Sequence, residues 1–338
     1  MTSLPDFAAR LGDGLYCIDT GFHRPNFDAA YLLVDEGRAA FIDTGTNFAV
    51  PRLLATLDAL GLRRDAVDWV IPTHVHLDHA GGVGLLMREL PAARLLVHPR
   101  GLRHLVDPGA LYEGALAVYG EPAMARDYGA LVPVDAARAS VTHDGMTIVL
   151  GTRSLQFADT PGHARHHHCI WDERSRGWFT GDSFGISYRD FDTVAGAWIM
   201  VSSTPVQFDP SALAATVQRL LARQPRWMYL THYGRVDDVE RLGAALLQML
   251  RQMVAIAQAV PRTGPHAAKR RHAHLREALL ALYEAGLKHH GFKRDAVDVA
   301  ALLEMDLELN AQGLGIWLDR QHVQAQDHAQ DQAQERPS

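Results

Sequence analysis

Short apolar runs separated by turn residues fill the first third of the chain, and the spacing turns helical wherever the runs lengthen. Gly14-Leu15-Tyr16-Cys17-Ile18, Ala30-Tyr31-Leu32-Leu33-Val34 and Ala39-Ala40-Phe41-Ile42-Asp43 read as strands, with Asp35-Glu36-Gly37 as a hairpin turn. Phe48 to Leu60 then has helical periodicity, Trp69-Val70-Ile71 is a buried strand, Val83 to Leu90 a helix opened by two glycines, and Ala93 to Val97 another strand. This β-α-β alternation predicts a sheet covered by helices. Pro99 to about Tyr128 is helical with a break at Pro108-Gly109. Strands then crowd together at Ser140-Val141, Thr147 to Leu150, Ser154 to Phe157, His168 to Trp171 and Gly177 to Thr180; a helix begins at Pro210 and a strand near Trp227.

Past His232 the pattern is helical throughout. Val239, Leu242, Leu246, Leu250 and Val254 mark one face of a helix over Val236 to Val260, Pro261 to Pro265 break it, and Lys269 to His289 resume it. Two further helical stretches follow, about Arg294 to Glu304 and Leu307 to Leu318. Amphipathic faces of this kind must be buried, either on the preceding domain or in a homodimer formed through the extension. From His322 to Ser338 almost no large apolar residue follows Val323, which predicts a disordered tail. The expected organisation is a domain over 1–235, a helical extension over 236–321 and a tail over 322–338.

Composition narrows the class without naming it. With 338 residues, 47% hydrophobic and 21% charged, the chain is an ordinary globular protein, and its net charge of −6 gives no general attraction to nucleic acid or an anionic membrane. Cys17 and Cys169 are too few for a disulfide framework or a cysteine-rich zinc module, so a reducing cytoplasm is the simpler home. The N-terminus has neither a basic nor an apolar leader region, and no run of 18 apolar residues occurs, so neither a signal peptide nor a membrane span is expected. The expected partner is a small-molecule substrate.

The chemistry gathers at Thr73-His74-Val75-His76-Leu77-Asp78-His79-Ala80-Gly81-Gly82, directly after a strand. In extended backbone, side chains at i, i+2 and i+4 share a face, so His74, His76 and Asp78 are expected to converge while His79 turns aside. Burying four such groups without compensation would cost roughly 1–3 kcal/mol each, which argues for divalent cations among them. Further candidate ligands each end a strand or tight turn: His163 after Pro161-Gly162, Asp182 after Gly181, and His232 after Thr231. Asp43 is either a turn residue or a support beneath the metals. The triplet His166-His167-His168 reads as solvated or as standing behind the ligands. Between Asp182 and Pro210, the aromatics Phe184, Tyr188, Phe191 and Trp198 either wall a pocket or pack the loop, with Tyr188 and Trp198 as the candidate substrate-binding residues.

Taken together and in order, Thr73 to Gly82, Thr160-Pro161-Gly162-His163, Gly181-Asp182 and Thr231-His232 resemble the metallo-β-lactamase superfamily over about residues 10–235. The resemblance implies an α/β fold, an αββα sandwich with the helical extension appended, and a dinuclear site at one edge. It also implies that His74, His76 and His163 bind one metal, Asp78, His79 and His232 the other, and that Asp182 bridges them. Asp78 would in addition orient the nucleophile or shuttle its proton, as the catalytic residue. An acid at the bridging position is similar to the glyoxalase II-like branch rather than to the β-lactamases, and the trailing helices are similar to those of the quinolone-signal response thioesterase. The ligand set suits two divalent metal ions, zinc first, with iron or manganese as alternatives. The expected function is a metallohydrolase using a metal-bridging hydroxide on a small ester, thioester or lactone. Its alternatives are an iron-dependent oxidoreductase of the same fold, similar to persulfide dioxygenases, and a regulatory binding protein with a residual metal site. Nuclease activity ranks low for an acidic chain without a large inserted domain. Lys269-Arg270-Arg271-His272 with Arg276, and Lys288 with Lys293-Arg294, form either a solvated helix face or a clamp for an anionic tail such as glutathione or coenzyme A.

Overall fold

The computed structural model describes residues 3–203, 205–260, 267–293 and 296–334. Two sheets lie face to face. The first has seven strands in sequence order, β1 (Ala8–Gly12), β2 (Leu15–Asp19), β3 (Ala29–Asp35), β4 (Arg38–Ile42), β5 (Val67–Ile71), β6 (Arg94–Val97) and β7 (Ala139–Val141). Its first four strands pair antiparallel and the rest parallel, because helices are interposed from β4 onward. The second sheet has six strands, β8 (Thr147–Leu150), β9 (Arg153–Asp159), β10 (His168–Asp172), β11 (Gly177–Gly181), β12 (Trp227–Leu230) and β13 (Gly234–Val236), in the order β13-β12-β11-β10-β9-β8.

Period-two alternation sorts the side chains into three cores. Leu15, Cys17, Tyr31 and Ile42 of the first sheet meet Leu155, Phe157, Ile170 and Phe179 of the second between the sheets. Tyr16, Ile18, Leu32 and Phe41 point the other way, onto the helices Val50–Ala59 and Val83–Glu89. Trp171, Trp178 and Met228, on the outer face of the second sheet, pack under the helices Pro210–Ala222 and Val239–Ala259. The result is the expected αββα sandwich with a C-terminal helical extension.

That extension is not a separate body. Leu275, Leu279, Tyr283 and Leu287 of the helix Ala267–His289, and Leu307, Ala311 and Leu314 of the helix Glu304–Gln334, belong to the same core as Phe184, Phe191 and Met200. The apolar faces are therefore buried on the chain's own domain. Backbone over 322–334, expected to lack order, continues the last helix, in keeping with the high helix propensity of its Ala and Gln residues; 335–338 lie outside the described residues. Among the described residues no helix is long and apolar enough to cross a membrane.

Candidate metal centre

Every candidate ligand sits where a strand ends on the same edge of the sandwich. β4 ends at Ile42, and Asp43 follows at φ 55, a left-handed conformation that aspartate tolerates better than most residues. Its carboxylate turns under the next strand, where the Thr73 amide donates to Oδ1 at 2.7 Å. His74 and His76 follow β5, His76 still extended at ψ 151, but the chain then coils: the amides of His79 and Ala80 donate to the His76 carbonyl at 3.1 and 2.8 Å. The expectation of a continuous extended face is corrected here, since the helical turn Leu77–Ala80 delivers Asp78 and brings His79 inward instead of aside.

Glycines make two of the other approaches possible. Gly162 sits at φ 133, and a Cβ there would lie 2.3 Å from the Leu213 amide nitrogen, so the turn carrying His163 can rest against the start of the helix Pro210–Ala222 only without a side chain. Gly181 sits at φ 46, where a Cβ would lie 2.5 Å from Thr73 Oγ1, so only glycine lets the chain pass here and set Asp182 beside the histidines. His232 follows the end of β12 after Thr231 alone.

The seven side chains converge. His76 Nδ1 lies 2.9 Å from His74 Nε2 and 3.1 Å from His163 Nε2. Asp78 Oδ2 lies 3.3 Å from His232 Nε2 and 3.7 Å from His79 Nε2. Asp182 spans both groups, with Oδ1 at 3.2 Å from His79 Nε2 and 3.7 Å from His232 Nε2, and Oδ2 at 3.5 Å from His163 Nε2. The combinations His74/His76/His163, His74/His79/Asp182 and Asp78/His79/His232 each bring their ligand atoms within 4.8 Å of one another.

Outward-facing ring nitrogens are tied down, which fixes which nitrogen faces the centre. His79 Nδ1 meets Asp43 Oδ2 at 2.9 Å, and His232 Nδ1 donates to the Phe27 carbonyl at 2.9 Å. Their Nε2 lone pairs thus point inward. His79 Nε2 and Asp182 Oδ1 are buried and face each other at 3.2 Å out of hydrogen-bond alignment, an arrangement that is costly unless a cation completes it. The residues present fit a pair of divalent cations.

Electrostatics tell the same story by halves. Burial lowers His74, His76 and His163, and their neighbouring imidazoles push His74 and His76 down further. Around Asp78 and Asp182 the field is reversed: burial opposes charge, but Asp78, Asp43 and Asp182 outweigh it and raise His79 well above the usual range, while His232 is pushed up to about 10 by Asp182 and Asp78. Burial would raise Asp78 and Asp182, yet the surrounding histidines hold both well below the carboxylate range. The Asp78 side chain is 22% exposed, the most open of the carboxylates at the site.

Other candidates stand elsewhere. His166, His167 and His168 are all buried rather than solvated; His167 Nδ1 meets Thr160 Oγ1 at 2.8 Å and His168 Nδ1 meets Thr142 Oγ1 at 2.8 Å. Tyr188 stacks on Phe27 and donates to Asp306 Oδ1 at 3.2 Å, and Trp198 packs on Phe191 and Tyr283. Both are buried in the core shared with the extension, and neither lines the cleft that opens at His76. Of the basic cluster, Arg271 pairs with Asp319 at 2.7 Å, and Arg276 with Glu304 and Glu308 at 2.8 and 2.9 Å, so these charges are neutralised within the extension; Arg294 lies outside the described residues. Three supports went unread in the sequence: Ser202, whose hydroxyl donates to Asp182 Oδ2 at 3.1 Å, the Phe27 carbonyl, and Asp28, fully buried and pushed up to about 7 by burial.

A family model described as the metallo-beta-lactamase superfamily matches residues 23–232, well over half of the chain and all seven converging residues. The chain belongs to the metallo-β-lactamase superfamily. A fold-containing protein of this superfamily from Sulfurisphaera tokodaii is 26% identical over 229 residues, 66% of this chain and 80% of that protein. A solved archaeal superfamily member from Sulfolobus tokodaii shares the fold with a TM-score of 0.59 at 23% identity, over 82% of this chain and 99% of that one. Two further superfamily relatives match over shorter stretches. A hydroxyacylglutathione hydrolase of Salmonella paratyphi A is 33% identical over 151 residues, 44% of this chain and 45% of that one. The type A flavoprotein fprA of Rhodobacter capsulatus is 30% identical over 164 residues, 48% of this chain and 32% of that one. The chain thus spans less than half the length of these last two relatives.

Proposed function

We propose that the protein is a dinuclear metal-dependent hydrolase acting on a thioester, or on a related small ester or lactone. The observation that carries this reading is the Asp182 carboxylate, one oxygen facing His79 and His232 and the other facing His163, a single acid placed between two sets of donors. His74, His76 and His163 would hold one cation and Asp78, His79 and His232 the other. Two divalent cations in such a set supply Lewis acidity for a carbonyl and lower the pKa of a water toward 7. Nitrogen and carboxylate donors without a thiolate suit zinc first, and both cysteines are buried and free elsewhere.

The chain's own residues supply the rest. Asp78, held ionised by the surrounding histidines and partly open, would orient an attacking water and pass the water's proton to the leaving group. Asp43 and the Phe27 carbonyl hold the imidazoles in one orientation, so no reorganisation is needed when substrate arrives. Beside His76 opens a cleft of about 240 Å³ with a mainly apolar lining, suited to an organic substrate. The relative named hydroxyacylglutathione hydrolase supports hydrolysis as the reaction class.

A panel of acyl thioesters, lactones and phosphodiesters assayed with zinc-loaded protein tests the reading. Thioester turnover abolished in Asp78→Ala, with metal content retained in part, is the expected result; turnover of none of these substrates sinks it. The flavoprotein relative supports a second reading, a redox activity at the same ligands, with iron among the metals that this donor set accepts. Iron in the purified chain together with oxygen consumption would favour that reading over the first.

A further inference from the structure

The cleft that begins at His76 adjoins two others. The helix Gly109–Tyr119 roofs it with Leu111, Ala115 and Val118, and its outer end is bounded by His104, His166 and Gln207. The same three residues line a wider cleft of about 720 Å³ with Arg100, Arg103 and Arg165. A third, of about 230 Å³, shares Arg100, Arg165 and Gln207 and adds Arg320 and Trp317 from the last helix. A track therefore runs from a metal ligand, along an apolar wall, to four guanidinium groups contributed by both the sandwich and the extension.

What sets these arginines apart is that they line one connected cleft without carboxylate partners. Arg24, Arg38, Arg174, Arg219 and Arg223 each face a carboxylate. Among the described residues, Arg100, Arg103, Arg165 and Arg320 form no such pair. Arg320 is half-buried, its Nε has no acceptor, and burial and the neighbouring Arg165 disfavour its charge against a smaller pull from Asp209. Among the described residues lining the three clefts, Asp209 is the one carboxylate set against four guanidinium groups, so the track carries a local positive charge in a chain of net charge −6. Guanidinium forks match the paired oxygens of phosphate.

We propose that the arginine-lined cleft binds the phosphate of the substrate's thiol carrier, so that the substrates are acyl thioesters of a phosphate-bearing carrier whose arm crosses the apolar cleft. The identity of the carrier as a thiol rests on the hydrolase reading above; the phosphate site does not. In the reaction, water's oxygen forms the new bond to the acyl carbon, the C–S bond breaks, and a water proton ends on the carrier thiol.

Calorimetric titration of the metal-loaded full chain with S-methyl phosphopantetheine and S-methyl pantetheine, which differ by one phosphate and cannot be hydrolysed, tests this directly. The expected result is at least tenfold tighter binding of the phosphorylated probe, weakening as salt is raised, with the preference falling to within about twofold in Arg100→Ala/Arg165→Ala. Both arginines are exposed, and a melting curve checks that the variant is folded. The kcat/KM ratio for the corresponding acetyl thioesters should fall in parallel. Equal binding of the two probes by the parent protein, a preference unchanged in the variant, or equally tight binding of S-methyl glutathione at the same arginines overturns the proposal. Phosphate preference without hydrolysis of any thioester supports the cleft and removes the hydrolase reading instead.

Discussion

Asp43 touches no inward-facing nitrogen, yet it accepts from the Thr73 amide and from Thr231 Oγ1, each at 2.7 Å, and holds His79 Nδ1 at 2.9 Å. Its removal should therefore act through His79. Asp43→Ala is expected to lower metal affinity by about 10–100-fold, read by competition with a chromogenic chelator, while the far-UV spectrum is unchanged. An unaltered affinity would mean that His79 is oriented by packing alone. The seven converging donors were legible in the sequence because four of them fall within six residues after an apolar run and the other three each follow a strand or tight turn. Their supports were less so. Asp43 could equally have been a turn residue, the Phe27 carbonyl leaves no mark in a sequence, and Ser202 is one serine among many.

At the scale of elements, the chain's local patterns foretold most strands and helices, and the exceptions have physical causes. β1 is a partly exposed edge strand with no apolar alternation, and β13 is three residues long, so neither produces a periodic signal. The turn Leu77–Ala80 was hidden because a single helical turn and an extended segment can carry the same His-x-His-x-Asp-His string. Two contacts between elements give predictions. Arg153 of β9 and Asp172 of β10 are both fully buried and joined at 2.7 Å, so Arg153→Met, which leaves Asp172 unpaired, should destabilise the fold by about 3–5 kcal/mol in urea melts. Pairing it with Asp172→Leu should recover much of that loss. Asp35, at the end of β3, accepts from the Thr152 amide and hydroxyl at 2.8 and 2.9 Å and pairs with Arg174, which holds its carboxyl below the usual range. A depressed pKa contributes stability above the unfolded value of about 3.9 and loses it as pH falls below that. Asp35→Asn should thus be less stable than the parent protein at pH 7, and the difference should vanish as both are titrated to strongly acid pH. A difference that persists there would assign the effect to packing.

For the whole molecule, the extension closes the structure rather than decorating it. Asn310 of the last helix accepts from the Ser203 amide at 2.6 Å and donates to the Val201 carbonyl and Tyr283 hydroxyl at 3.2 and 2.9 Å, tying two helices to the segment that follows Asp182. Asn310→Leu strands these buried groups and should cost about 2 kcal/mol or more, with faster hydrogen exchange across both helices. Amphipathic spacing made the helices legible, but not the surface they cover, since that depends on aromatics such as Phe191 and Trp198 whose burial no local pattern fixes. The central claim is that this frame holds two cations with Asp182 between them. The most direct test is the metal-to-protein ratio of the loaded chain, measured by plasma mass spectrometry for the parent protein and for Asp182→Ala. Two divalent ions per chain in the parent, and one or fewer in the variant, is the predicted result; one ion per chain in the parent, or two in both, would contradict it.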